Sequence, residues 1–146
     1  MGAKENLELI EQVQQANRDR DYDRYGALLA DDAVLRMAGV PAAMGGVTKG
    51  KQAIVDQFRA MAGSAGGDFQ VKQAFGDDEH VCVVGKMVAQ RFPGNQFLKG
   101  SDRPYGTYEC IVYRIADGKV AEQTTYLNWL DAYVQVGLVD PSTFTA

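Results

Sequence analysis

Apolar positions in the first third of the chain recur at helical spacing. Leu7, Ile10, Val13 and Ala16, flanked by Leu9, form a stripe along one side of a helix. The polar run NRDRDYDRY interrupts it, and Asp21 is placed to cap a second, short helix carrying Tyr22, Tyr25, Leu28 and Leu29. The segment ADDAVLRMAG predicts a strand through Val34 to Met37. After the glycine-rich stretch GVPAAMGGVTKGK, residues Ile54, Val55, Phe58 and Met61 mark one side of a third helix. Beyond it the signal is β: GDFQVKQAFG, EHVCVVGKMVAQRF, YGTYECIVYRI and KVAEQTTYLNW are rich in β-branched and aromatic residues and are separated by turn-forming segments. Three helices followed by a meander imply an α+β domain, its helices gathered on one face of a curved antiparallel sheet. No repeat, low-complexity tract or linker divides residues 1–146, which read as a single domain.

The last hairpin predicts which side chains share a face. With Asp117-Gly118 as a two-residue type I′ turn, Ala116 opposes Lys119, and a regular ladder opposes Tyr113 to Glu122, Ile111 to Thr124, Glu109 to Tyr126 and Thr107 to Asn128. Opposed residues point the same way. One face then collects Thr107, Glu109, Ile111, Thr124, Tyr126 and Asn128, the mixture of a few polar groups and apolar surface that small-molecule pockets carry. The reverse face holds Tyr108, Cys110, Val112, Leu127 and Trp129. It is apolar enough to need a cover, and a two-fold homodimer through the sheet is the simplest one. A single β-bulge in either strand would exchange the faces beyond it.

Composition narrows the function. A chain of 146 residues is long enough to bury about 70% of its unfolded surface without staples. Fifteen basic and 19 acidic residues are interspersed, and a net charge of -4 argues against nucleic acid or an anionic membrane as partner. No apolar run approaches the roughly 18 residues of a spanning helix, and MGAKENLELIEQ lacks the apolar region of a signal peptide, so a cytoplasmic protein is expected. Cys82 and Cys110 lie in apolar runs without CxxC spacing and read as buried thiols, a disulfide being the alternative. One histidine, His80 in a turn, and two separated cysteines make no metal-ligand set. No GxGxxG or phosphate loop is present, so no cofactor is expected.

Four phrases, LLADDAVLRM, TKGKQAIVDQF, YRIADGKVAEQ and LDAYVQVGL, resemble the cone-shaped superfamily of nuclear transport factor two and ketosteroid isomerase, and within it the SnoaL-like polyketide cyclases. The resemblance covers nearly the whole chain. It implies a cone-shaped, strongly curved sheet with three helices covering an apolar pocket, and a small apolar or aromatic molecule as ligand. Tyr25, Phe58 and Phe69 read first as core residues, and the resemblance also places them along that cavity. Activities on this fold range from isomerases, cyclases, dehydratases and epoxide hydrolases to domains without catalysis.

The resemblance puts Asn128 where SnoaL-like cyclases carry their aspartate base. An amide cannot take up a proton near neutral pH, so Asn128 can orient a substrate but not deprotonate it. Asn is also a favoured helix N-cap, and Asp131 three positions later fits a variant of the capping box. Glu109 is the expected substitute for the missing base, with Tyr126 beside it. Buried next to Ile111 it would have a raised pKa; on a solvated face it would be an ordinary surface carboxylate. Asp31 and Asp32, adjacent and therefore pointing apart, read as helix-terminating residues. The segment FPGNQFLKGSDRP, with exposed-looking Phe92 and Phe97, reads as a hairpin connection or a lid.

Overall fold

The computed structural model describes residues 2–94 and 99–145. Helix α1 (Ala3–Arg18) buries Ile10, Val13 and Ala16 of the predicted stripe and the flanking Leu9, together with Asn6 and Gln14, while Leu7 is half-buried. Helix α2 (Tyr22–Ala27) begins at Asp21, whose Oδ1 accepts from the Arg24 backbone N–H at 3.0 Å. Leu28 closes this helix and Leu29 already starts a strand, because the chain must turn to bring Leu29, Ala33 and Leu35 into the core.

That strand, β1 (Leu29–Ala38), starts before Val34 and is irregular up to it, with Asp31 and Asp32 exposed in the irregular half. The two aspartates therefore do not end a helix; Asp31 pairs with Lys51 at the start of α3. A short strand β2 (Val47–Lys49) lies within the segment read as loop and pairs with β1. Helix α3 (Lys51–Ala65) buries Ile54 and Val55 and packs on α2 and β1. Strands β3 (Asp68–Gly76), β4 (His80–Ala89), β5 (Tyr105–Ala116) and β6 (Lys119–Leu127) form the meander, and α4 (Trp129–Gln135) follows.

The six strands make one curved, unclosed sheet in the order β2-β1-β6-β5-β4-β3. It is antiparallel except where β1 runs parallel to β6, a pairing between distant segments that period and turn residues do not encode. The helices cover one face, and the core is packed between them: Val81, Val83, Tyr113, Ile115 and Val120 from the sheet against Ile10, Val13, Tyr25 and Ile54.

The β5–β6 hairpin turns at Asp117 (φ 52°) and Gly118 (φ 70°), both left-handed, as a type I′ turn demands. Ala116 opposes Lys119 and Ile115 opposes Val120, but Arg114 then opposes Glu122. Ala121 is thus an extra residue, a β-bulge, and the faces beyond it are exchanged relative to a regular ladder. A second bulge falls at Lys72, between Val71 opposing Gly85 and Gln73 opposing Val84. Strand β3 is an edge, exposed along its length apart from a half-buried Phe69. No described helix is long and apolar enough to cross a membrane.

Helix α4 docks through Trp129, whose indole Nε1 donates to the Ala38 carbonyl at 2.8 Å. The chain leaves β1 through Gly39 at φ 88°, where an added Cβ would stand 2.8 Å from Trp129 Cδ1. Gly39→Ala combines backbone strain with that clash and is expected to cost about 1–3 kcal/mol. Urea unfolding measures this; an unchanged midpoint would show that α4 is not held at this corner.

Candidate active site on the helix-covered face

Glu109 lies on the middle of β5, facing the helices, and is only 5% exposed. Strand alternation places Tyr105, Thr107, Ile111 and Tyr113 on the same face. Across β4 it opposes Gly85, and Phe69 of β3 fills the space a side chain would need there: a Cβ on Gly85 would come within 2.6 Å of the Phe69 ring. Across β6 it opposes Leu127. Glu109 is therefore walled by apolar groups, and this desolvation raises its pKa from 4.5 to about 7. Its Oε2 is buried without a hydrogen-bond partner among the described residues, and so is the Oγ1 of Thr107, which is 1% exposed.

Asn6 Oδ1 and Asn17 Oδ1 on α1 are likewise buried without a partner among the described residues, but neither is ionisable. Deeper on the same face, Gln14 Nε2 donates to the Tyr113 hydroxyl at 2.6 Å, and the Tyr25 hydroxyl donates to Gln123 Oε1 at 3.3 Å. Those groups satisfy one another, as buried polar groups do. Burial holds the Tyr25 phenol well above its ordinary pKa, with Tyr113 nearby adding to the rise. On the other side of Glu109 stands a cluster of aromatic rings. Phe92 meets Tyr105 at 5.8 Å, Trp129 at 6.3 Å and Tyr133 at 5.6 Å between ring centroids. Burial, and secondarily the charge of Glu109, raises the Tyr105 pKa.

The bulge at Ala121 divides the expected site residues. Thr107, Glu109 and Ile111 share the helix-covered face; Tyr25 is fully buried against Phe58 (centroids 5.1 Å), and Phe58 and Phe69 pack against the same core. Thr124 and Tyr126 do not join them. Thr124 opposes Val112 and Tyr126 opposes Cys110 on the outer face, where Tyr126 is 52% exposed. Gln123, Thr125 and Leu127 take the inner positions instead. Trp129, expected on the reverse face, sits in the aromatic cluster because α4 folds back over the sheet end.

Asn128 is the N-cap residue of α4 by position, yet its side chain caps nothing. It is exposed, and its Nδ2 donates to the Tyr108 carbonyl at 2.7 Å, latching the end of β6 to β5. Asp131 bonds Gln135 rather than completing a capping box. Glu122 lies on the outer face with Arg114 at 3.3 Å.

Among the described residues, two cavities have linings that do not include Glu109. One, of about 490 Å³, is lined by Gly63 and by Arg91 to Gly94 and Gly100 to Asp102 of the β4–β5 connection. The other, of about 350 Å³, lies beside Cys82. The apolar pocket expected between sheet and helices is not one of them, since Tyr25, Phe58, Tyr113 and Ile111 fill the narrow end of the cone. Phe92 is buried rather than exposed and forms an antiparallel bridge with Ser101; Phe97 lies outside the described residues. Tyr105, Gly85, Tyr133 and buried Phe92 were missed from the sequence. For Tyr105 the alternation from Glu109 is the signal that would have found it.

A sequence profile of the SnoaL-like domain matches residues 10–123. The chain belongs to the SnoaL-like domain family. Its fold is shared by an LEH-like epoxide hydrolase of M. tuberculosis, with a TM-score of 0.73 at 18% identity over 93% of this chain and 92% of that one. A protein assigned as a SnoaL-like polyketide cyclase, from Jannaschia sp. CCS1, gives 0.79 at 10% identity over 94% and 95%. An NTF2-like protein of Burkholderia xenovorans LB400 gives 0.73 at 18% over 93% and 98%. At such identities the likeness is one of fold. A search of curated proteins finds no match.

In this SnoaL-like domain the raised pKa of Glu109 is also a statement about stability. The folded state holds the proton between pH 4.5 and about 7 while the unfolded state releases it, so the contribution is present below 4.5 and is lost as pH rises through about 7. The full change is worth about 3 kcal/mol. Glu109→Gln should therefore flatten the fall in stability over that window, and should be the more stable protein above pH 7. Urea unfolding of both proteins at a series of pH values checks the sign; parallel curves would place Glu109 in water.

Proposed function

We propose that this SnoaL-like protein is a cofactor-free cytoplasmic enzyme that moves a proton on a small, largely apolar carbonyl compound, with Glu109 as its acid and base. The observation that carries the reading is a carboxyl group buried on the helix-covered face with one oxygen unpartnered and a pKa raised to about 7. A group titrating there is present in both protonation states near neutrality, which general acid–base catalysis requires.

Neither cavity reaches Glu109, so a substrate enters by parting the rings of Phe92, Tyr105, Trp129 and Tyr133; Glu109 as carboxylate then accepts a proton from the carbon next to the substrate carbonyl. The enolate oxygen so formed takes a hydrogen bond from Thr107 Oγ1, which has no other partner among the described residues, or from the Tyr105 hydroxyl. The protonated Glu109 then returns the proton. Delivery to another carbon gives isomerisation. If the enolate carbon first attacks a second carbonyl of the same molecule, delivery to the resulting alkoxide gives cyclisation, the activity for which the polyketide cyclases among its structural neighbours are named. Tyr126 takes no part, being on the other face.

The test is deuterium incorporation from D2O into small cyclic ketones and β-diketones. Incorporation should rise with an apparent pKa near 7 and fall about 100-fold or more in Glu109→Gln. Undiminished exchange in that variant removes Glu109 from the chemistry.

A second reading, association through the sheet, is favoured by the outer face. Tyr108 is 60% exposed and Tyr126 52%, neighbours at the end of the outer face away from Phe75 and the Cys82 cavity. An isologous homodimer covering Tyr108 and Tyr126 is compatible with catalysis, and it also serves a member of this fold that only binds ligand. Light scattering at micromolar concentration should give a dimer, and Tyr108→Glu a monomer. A monomeric native protein rejects the interface.

A further inference from the structure

The outer face carries a second chemical feature, unrelated to Glu109. Cys82 on β4 opposes Val112, and Cys110 on β5 opposes Val84, so the two thiols are diagonal neighbours on adjacent antiparallel strands. Their sulfurs stand 3.1 Å apart, and both are free thiols. Their surroundings are unequal. Cys82 lines the cavity of about 350 Å³ together with Phe75, Gly76, Asp77, His80 and Val112, whereas Cys110 does not line it.

We propose that Cys82 and Cys110 are a redox-active pair, in which a small-molecule disulfide admitted to this cavity is attacked by Cys82 and displaced by Cys110, leaving an intramolecular cross-strand disulfide. In the first step Cys82 loses its proton and its sulfur bonds one sulfur of the incoming RSSR. The RSSR bond breaks and one RS⁻ leaves, to be protonated by water. In the second step Cys110 loses its proton and attacks Cys82 Sγ. The mixed disulfide breaks and the second RS⁻ leaves. Two protein thiols are oxidised, and one RSSR is reduced to two RSH.

The contact makes the second step intramolecular. Closing from 3.1 Å to a bond of roughly 2.05 Å takes about 1 Å of movement. Diagonal neighbours in a sheet have Cα atoms roughly 7–8 Å apart, beyond the usual disulfide range, so closure must draw β4 and β5 together locally. The bond formed is accordingly labile, which is the character of a reversible rather than a structural disulfide.

Burial, and then the hydrogen bond with Cys110, pushes the Cys82 thiol up to about 11. The nearest titratable and charged groups on this face are His80 and Lys86 of β4, Tyr108 and Arg114 of β5, and Glu122 and Tyr126 of β6, with Asp77 in the turn before β4. Exchange is therefore slow near neutrality and is best followed at about pH 9, where the thiolate fraction is on the order of 1%.

The experiment treats the full-length protein with excess bis(2-hydroxyethyl) disulfide, a small uncharged probe suited to a largely apolar cavity, then alkylates remaining thiols and measures intact mass. The native protein should lose two hydrogens, become inert to alkylation and stay free of intermolecular bonds on a non-reducing gel. A digest should yield one peptide pair joined through Cys82 and Cys110, and mild reduction should restore both thiols. Cys110→Ser should stop at a single adduct on Cys82, and Cys82→Ser should react about tenfold more slowly, its remaining thiol being off the cavity. Two persistent thiols or two separate adducts in the native protein overturn the proposal. Equal rates in the two serine variants overturn the order of attack.

Discussion

One inserted residue sorts the side chains of β6 between the core and the outer surface. A strand offers its side chains alternately to two faces, so Ala121, unpaired between Val120 and Glu122, reverses every later position of β6 relative to β5. Gln123 is thereby turned inward to meet Tyr25, while Tyr126 is turned outward to lie beside Cys110. Without the bulge the charge of Glu122 would move towards the side on which Tyr113 is packed, and the Tyr25–Gln123 bond would have no acceptor. The core contact to Tyr25 and the outer surface beside Cys110 both follow from the same insertion.

The inner face then separates into two chemical zones. Near α1 and α2 two pairs, Gln14 with Tyr113 and Tyr25 with Gln123, join helices to sheet, while Asn6 Oδ1 and Asn17 Oδ1 are without a partner among the described residues. Towards α4 the inner face holds Glu109 and Thr107, each with an oxygen unpartnered among the described residues, beside four aromatic rings. A buried unpaired oxygen forfeits about 1–3 kcal/mol. Such groups call for an explanation, and what sets Glu109 apart from Asn6 and Asn17 is that it is ionisable, with a pKa raised to about 7 by burial.

Local signals carried far in the sequence. The stripe of α1, the Asp21 cap and the Asp117-Gly118 turn each rest on residues within one or two turns of chain, and all three form as expected. Glu109 reached the correct face because the faces of β5 are set by its own alternation. Features that depend on distant segments were not legible. Nothing in the alternation of KVAEQTTYL announces an extra residue at Ala121, since a small side chain suits either face. The parallel pairing of β1 with β6, the Phe69 ring seated over Gly85, and Trp129 against Ala38 join segments tens of residues apart. Asn128 is the instructive case: a strong cap residue at a helix start whose amide finds the Tyr108 carbonyl instead, because the neighbouring strand is within reach.

The sheet does not close, so β3 presents a row of free backbone donors and acceptors to water. Such an edge is a template on which another extended chain can stack, and Val71 and Phe75 would make that stacking sticky. Lys72 stands between them, on the bulge that breaks the register with β4. Its charge must be desolvated by any strand that approaches, and the kink denies that strand a straight partner. The same device that elsewhere sorts side chains between two faces here protects the protein from its own copies, keeping an open sheet from growing into a fibre.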